Sequence, residues 1–201
     1  MNQAVFDRIA AYYNSLVGEF GHSPRACDYG NPRSQLAKFE VLAQVAPLTG
    51  KRILDVGCGF ADFADFLIAR YGELEYTGVD ISPAMIQAAR ALHPGAPNVT
   101  LRLANILEDD PGQFDVVTAN GIFYLLGDCA PDLMKRLVSR MFEIATTAVA
   151  FNSLTSWAAD QEQGEFYADP CATVDFCRTL TSRLTLRHDY HTRDFTLYLY
   201  K

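Results

Sequence analysis

A chain of 201 residues is close to the size of one α/β domain, and 49% hydrophobic content is enough for a full core at that length. Seventeen basic and 24 acidic side chains give a formal net charge of −7, with no run of Lys or Arg to track a phosphate backbone, so nucleic acid is disfavoured as a partner. Five cysteines (Cys27, Cys58, Cys129, Cys171, Cys177) make no Cys-x-x-Cys pair and no zinc spacing, and neither a signal-peptide pattern nor a membrane-length apolar stretch is present; a reduced, cytoplasmic protein with no metal and no membrane partner is expected.

Residues 1–50 precede the first strand. Val5, Ile9, Tyr12, Tyr13 and Leu16 recur at helical spacing and predict an amphipathic helix. Tyr12 and Tyr13 are adjacent and cannot both face one core, so either they simply pack the helix down or one of them lines a cleft. Gly18 to Pro32, rich in Gly, Pro, Asn and Asp, reads as a loop. A second helix is expected from Ser34 to Val45, with Leu36, Phe39, Leu42 and Ala43 inward. No repeat or low-complexity segment occurs.

From Lys51 strands and helices alternate, which argues for a parallel sheet. Ile53-Leu54-Asp55-Val56-Gly57-Cys58-Gly59 reads as a buried strand and a tight turn, followed by a helix from Asp62 to Tyr71. Gly57 and Gly59 permit unusual dihedrals and a close approach of backbone to ligand. Tyr76 to Ile81 is the second strand, ending in Asp80, and Ser82-Pro83 supplies an N-cap and a first-turn proline for the next helix. A carboxylate at that strand end either accepts the two hydroxyls of a nucleoside ribose or caps the strand toward solvent. Asp55, and Asp62 where a dinucleotide fingerprint has its third glycine, would repel a pyrophosphate but not a ligand carrying ammonium and sulfonium groups.

These residues resemble motif I of the class I S-adenosylmethionine (SAM)-dependent methyltransferases, with Ala61 standing where that family usually has its third glycine. The resemblance covers Lys51 to Lys201. It implies an α/β, doubly wound, mostly parallel sheet of seven strands with the last antiparallel, in one domain over 1–201 (a helical cover over 1–50, a Rossmann-like core over 51–201). Further strands are expected at Val99–Ile106, Phe114–Gly121 and Ala148–Asn152, a helix at Pro131–Ala145, and a closing pair at Arg183–His188 and Phe195–Tyr200. Ser34-Gln35 with Phe39, Tyr76-Thr77-Gly78-Val79-Asp80-Ile81-Ser82, Gly121-Ile122-Phe123, Phe151-Asn152 and the ending Phe195-Thr196-Leu197-Tyr198-Leu199-Tyr200-Lys201 look more narrowly like a group of small bacterial methyltransferases.

The resemblance implies SAM as cofactor and a cofactor set of Gln35, Asp55, Gly57, Cys58, Gly59, Asp80, Ile81, Asn105, Ile106, Asn120 and Gly121. Asn105 would read the adenine amino group, Asn120 and Gly121 the ammonium end, and Gln35, Arg33 or Tyr29 the methionine carboxylate. Aromatic faces from Tyr12, Tyr13 or Tyr124 would hold the sulfonium; these three and Asn120 form the catalytic set. His188 and His191 either pack or cap, or move a proton. Trp157, Phe166 and Tyr167 form a pocket wall or fold back over the sheet edge. The expected reaction is methyl transfer to a small molecule by a monomer or homodimer, because the fourth strand lacks the Asn/Asp-Pro-Pro-aromatic pattern of amino-methylating DNA enzymes. Two alternatives are cyclisation of SAM with release of methylthioadenosine, and a non-catalytic SAM-binding module.

Overall fold

The structure is a computed structural model, described here for residues 3–201. The sheet is built from β1 (Arg52–Val56), β2 (Glu75–Asp80), β3 (Val99–Leu103), β4 (Phe114–Ala119), β5 (Ala145–Leu154), β6 (Leu184–Arg187) and β7 (Asp194–Tyr200). Its order is β3-β2-β1-β4-β5-β7-β6, with β7 antiparallel to both neighbours and every other pairing parallel. The seven-stranded, doubly wound arrangement expected from the sequence is therefore what the chain adopts. The helices are α1 (Gln3–Phe20), α2 (Pro32–Leu42), α3 (Asp62–Tyr71), α4 (Pro83–Leu92), α5 (Ala130–Ile144) and α6 (Pro170–Arg178).

Strand residues alternate between two cores, as the pleat requires. Leu54, Val117, Val149, Phe151, Leu197 and Leu199 face Phe6 and Ile9 of α1 and the α5 stripe Leu133, Leu137, Met141. Ile53, Val116, Ala148, Ala150 and Tyr198 face Phe39 and Leu42 of α2 and Phe63 and Leu67 of α3. Fully burying side chains such as Ile53, Leu54 and Leu67 contributes about 1.5–3 kcal/mol each.

Three local expectations differ. Gly18 lies inside α1, which runs on to Phe20. α2 begins at Pro32, because Asn31 caps it by accepting from the Ser34 N–H at 2.9 Å and a proline suits the first helical position. Leu36, expected inward, is 47% exposed: the buried face of α2 runs through Lys38, Phe39, Val41 and Leu42, and Leu36 lies off it.

The strand order reverses between β1 and β4, so the crevice of the sheet opens above their carboxyl ends. The turn after β1 is tightly built there. Gly57, Gly59 and Ala61 all have positive φ (74°, 55° and 63°). A Cβ on Gly57 would lie 2.4 Å from Ile122 Cγ2. Ala61, standing at the family's third glycine, shows why glycine is usual at that place, since an L-residue in the left-handed region costs about 1–2 kcal/mol.

Asp55, inside β1, is buried and accepts from Tyr76 Oη at 2.6 Å and Thr118 Oγ1 at 2.8 Å. Burial pushes its pKa up to about 6, against the lowering effect of those two donors.

Two outcomes are expected. Gly57→Ala loses more than about 2 kcal/mol in urea unfolding, from left-handed strain plus the clash. Ala61→Gly stays within about 1 kcal/mol, because relieved strain offsets a lost methyl and added unfolded-state freedom; equal costs for the two would contradict this turn. Asp55 favours folding in its neutral form, fully below its ordinary value of 3.8, and loses that contribution as pH rises through about 6. Between pH 4.5 and 7.5, Asp55→Asn should therefore gain about 2 kcal/mol relative to the parent, and parallel stability curves would contradict the assignment.

Candidate functional site

A cavity of about 1000 Å³ opens where the strand order reverses. Its floor comes from the β1–α3 turn (Asp55, Val56, Gly57, Cys58, Gly59), the end of β2 (Val79, Asp80, Ile81), the segment after β3 (Ala104, Asn105, Ile106) and the segment after β4 (Asn120 to Leu126). Its cover comes from α1 and the stretch from Arg25 to Lys38, and its far rim from Glu162–Glu165 and His191–Asp194. All eleven residues of the expected cofactor set, and Tyr12, Tyr13 and Tyr124, line this one space. Arg33, His188 and Trp157 do not belong to its lining; Trp157 packs edge-on against His188 with ring centres 5.4 Å apart, and stands half exposed.

Asp80 is the best-anchored group of the floor. Its Oδ2 accepts from the Gly59 N–H at 3.0 Å and its Oδ1 from the Ser82 N–H at 2.8 Å. Burial raises its pKa, opposed by these backbone donors. Each oxygen retains a second lone pair for a ligand. Cys58 is buried and lies so close to Gly78 that a Cβ there would meet its Sγ at 2.7 Å.

Asn105 sits beyond the end of β3, where its Oδ1 accepts from the Leu107 N–H at 3.1 Å and its own N–H donates to Asp109 at 2.8 Å. Asp109 thus holds that loop. Asn120 Oδ1 accepts from Asn152 Nδ2 at 2.6 Å, and Asn152 Oδ1 accepts from the Gly121 N–H at 2.7 Å. That chain fixes the orientation of Asn120 and leaves its Nδ2 a buried donor with no partner. A free donor suits an acceptor atom of a ligand rather than an ammonium. Gln35 Nε2 donates to Asp62 Oδ2 at 3.2 Å, and His22 Nε2 meets Asp62 Oδ1 at 2.8 Å, so both pin the cover to the start of α3.

The tyrosines converge on a residue that the sequence did not single out. Asp28 has a left-handed backbone (φ 57°) after the 3₁₀ turn Pro24–Cys27. Its Oδ2 accepts from Tyr12 Oη at 2.9 Å and from Tyr124 Oη at 2.7 Å. Tyr124 spends its only proton on Asp28, so the 2.8 Å contact with Tyr13 is a donation from Tyr13. Burial, then Asp28, pushes Tyr12 up to about 12, and burial raises Tyr13 and Tyr124 as well. All three stay protonated as donors and none is a base. Asn14 on α1 also escaped notice: its Oδ1 accepts from Ser82 Oγ at 2.8 Å and the Ala84 N–H at 3.2 Å, docking the cover on α4. An Asn-x-Pro or capping signature around Asn14 does not exist, so only the docked helix reveals it.

The geometry tests well against SAM. A turn without Cβ atoms admits a ligand against the backbone, an anchored carboxylate stands at the end of β2, and an unpartnered amide donor sits beside it at the end of β4. Among the described residues no helix is long and apolar enough to cross a membrane.

Comparison with known proteins agrees. A family model described as a methyltransferase domain matches residues 54–144. A Mycobacterium tuberculosis protein provisionally named a methyltransferase, Rv1506c, is 31% identical over 156 residues, 74% of this chain and 92% of that one. Trans-aconitate 2-methyltransferase of Rhizobium rhizogenes is 40% identical over 88 residues, which is 43% of this chain but only 33% of that enzyme. Among solved structures, the DhpI–SAM–HEP complex superposes with a TM-score of 0.73 at 15% identity over 98% of both chains. Magnesium protoporphyrin IX methyltransferase from Synechocystis PCC 6803 with bound SAM gives 0.69 at 15% identity over 97% of both. On its fold, its glycine turn and this kinship, the chain belongs to the class I SAM-dependent methyltransferases.

Proposed function

We propose that the chain transfers the methyl group of SAM to a small-molecule acceptor bound between the floor and the cover. The observation that carries this reading is the cavity itself. At about 1000 Å³ it reaches the top of the range of roughly 300–1,000 Å³ in which single ligands are held, so an acceptor fits beside the cofactor. Cyclisation of SAM, or a binding role alone, would need no such extra space.

In this reading Asp80 accepts the ribose hydroxyls, Gly57 and Gly59 let the methionine part lie on the backbone, Cys58 packs that turn, and Ile81 and Ile106 enclose the adenine with Asn105 at its edge. Asn120 Nδ2 and Gln35 face the amino-acid end with Asp55 and Gly121 beneath it. SAM supplies a methyl group already activated by its sulfonium. The chain then has to orient the acceptor and exclude water. Tyr12, Tyr13 and Tyr124 present ring faces around Asp28, and a cation beside such faces gains about 0.5–2 kcal/mol each. Their hydroxyls are consumed by the Asp28 network, which locks the rings in place. The chain is proposed to act as one unit, 1–201, with residues 1–50 as cover. Net charge of −7 and five free cysteines support a cytoplasmic enzyme, monomer or homodimer, acting on neither nucleic acid nor membrane.

Asp80→Asn, which keeps one acceptor for the turn, is expected to raise the SAM dissociation constant tenfold or more in calorimetry, as a charge-assisted bond worth about 1.5–3 kcal/mol is weakened. NAD should give no heat. With SAM and a metabolite extract, mass spectrometry should find S-adenosylhomocysteine. Methylthioadenosine instead would replace methyl transfer by cyclisation, and unchanged SAM affinity would remove Asp80 from the site.

A further inference from the structure

At the rim opposite the tyrosines, four side chains from two elements form a chain of contacts. Lys38 Nζ on α2 lies 3.0 Å from Asp194 Oδ1 at the start of β7. His191 Nδ1, in the connection before β7, lies 2.8 Å from Asp194 Oδ2. His191 Nε2 lies 3.1 Å from Ser34 Oγ. All four residues line the cavity. We propose that His191, oriented by Asp194, is the general base that takes the proton from a hydroxyl-bearing acceptor. This rests on the methyl-transfer reading above and specifies its acceptor class.

The argument begins with the tautomer. Asp194 Oδ2 is fully buried and has no hydrogen-bond partner other than what His191 can offer. A carboxylate oxygen 2.8 Å from an unprotonated ring nitrogen would set two lone pairs against each other, so the proton belongs on Nδ1. The Arg193 backbone N–H, at 3.2 Å from the same nitrogen, is the longer and weaker claim. Burial alone would raise the Asp194 pKa, yet His191 and Lys38 hold it below the ordinary carboxylate value. With Nδ1 protonated, Nε2 carries a lone pair that accepts from the Ser34 hydroxyl at 3.1 Å. Ser34 Oγ occupies the place where an acceptor hydroxyl would donate.

Charge in the cavity selects the acceptor. Lys38 is paired with Asp194, and Arg193 with Glu162 at 3.2 Å and Glu165 at 3.4 Å from the connection after β5. Neither is left to bind an anion at this rim; the other cation of the lining, Arg25, lies on the cover, three residues before Asp28. The groups facing His191 are therefore Asp194 and Arg193 from its own connection and Lys38 and Ser34 from α2. A carboxylate acceptor carries no proton to remove and calls for unpaired cations. An amine attacks through its lone pair and loses its proton afterwards. A hydroxyl needs its proton taken as it attacks, and that is what this arrangement provides. As the acceptor oxygen bonds to the methyl carbon, the methyl–sulfur bond breaks and its electron pair stays on sulfur. The hydroxyl proton passes to His191 Nε2, Asp194 offsets the imidazolium charge, and the proton then leaves to water.

Two measurements test this. In ¹⁵N-histidine NMR of the protein alone near neutral pH, His191 should show Nε2 unprotonated and Nδ1 protonated; the reverse tautomer overturns the proposal. With methyl-labelled SAM and a metabolite extract, the wild-type product should be an alkali-stable methyl ether. His191→Gln should lower its formation by about 100-fold or more and abolish the fall in rate at low pH, with SAM affinity within twofold. Added imidazole should restore part of the rate in His191→Ala, which a purely structural tether between α2 and β7 would not allow. A product that releases methanol in alkali, or wild-type turnover by His191→Gln, overturns the proposal and leaves methyl transfer standing. Absence of any labelled product from the wild type overturns methyl transfer and this proposal together.

Discussion

The crevice depends on one carboxylate. Asp80 accepts one backbone N–H from the turn after β1 and one from the turn after β2, so the two loops that form the floor are tied to each other at their tips. The Gly57 and Cys58 N–H groups reinforce this by donating to the Val79 carbonyl at 2.8 and 3.1 Å. Three alternate left-handed positions at Gly57, Gly59 and Ala61 are what allow the chain to bend back far enough for these bonds. Without the tie, two unsatisfied N–H groups and a buried carboxylate would remain, and each buried unpaired group costs about 1–3 kcal/mol. The same carboxylate lines the cavity, so under the proposed function the integrity of the turn and ligand binding are coupled.

The cover is not a loose appendage on this floor. Phe6 and Ile9 of α1 join the core around α5, Asn14 docks on the start of α4, and Arg8 Nη2 donates to the Leu125 carbonyl at 3.0 Å. α2 is fastened separately by Lys38–Asp194 and by Tyr198 Oη donating to the Val41 carbonyl. Between these two fastened helices, the stretch carrying Asp28 turns inward through a left-handed residue and collects the tyrosine hydroxyls. Aromatic faces and a single carboxylate give that part of the cavity a character suited to a positive sulfonium. The opposite rim, where cations and acids cancel, is suited to an uncharged acceptor.

The floor was legible in the sequence because each of its residues sits at a strand end with a local signal: Asp55 and the glycines after β1, Asp80 before Ser82-Pro83, Asn120-Gly121 after β4. The period of apolar residues placed α3 at its observed bounds and β2 within one residue of them. The cover was legible only as a helix with two tyrosines. Asp28 lies in a stretch whose Gly, Pro and Asn content reads as a loop, and its role arises from contacts 16 and 96 residues away along the chain. Asn14, Ser34 and Lys38 are ordinary helix-surface residues until tertiary packing turns them inward. Leu36 was misplaced because the buried face of α2 is centred on Lys38, Val41 and Leu42, and apolar periodicity does not count a lysine as part of an inward stripe.

The most direct test is a crystal structure of the protein with S-adenosylhomocysteine. The account predicts both ribose hydroxyls on the Asp80 carboxylate, the adenine between Ile81 and Ile106, and the sulfur turned toward the space between Tyr13, Tyr124 and His191. A nucleoside bound away from Asp80, or a sulfur turned to the floor with the cover closed over no free volume, would contradict it.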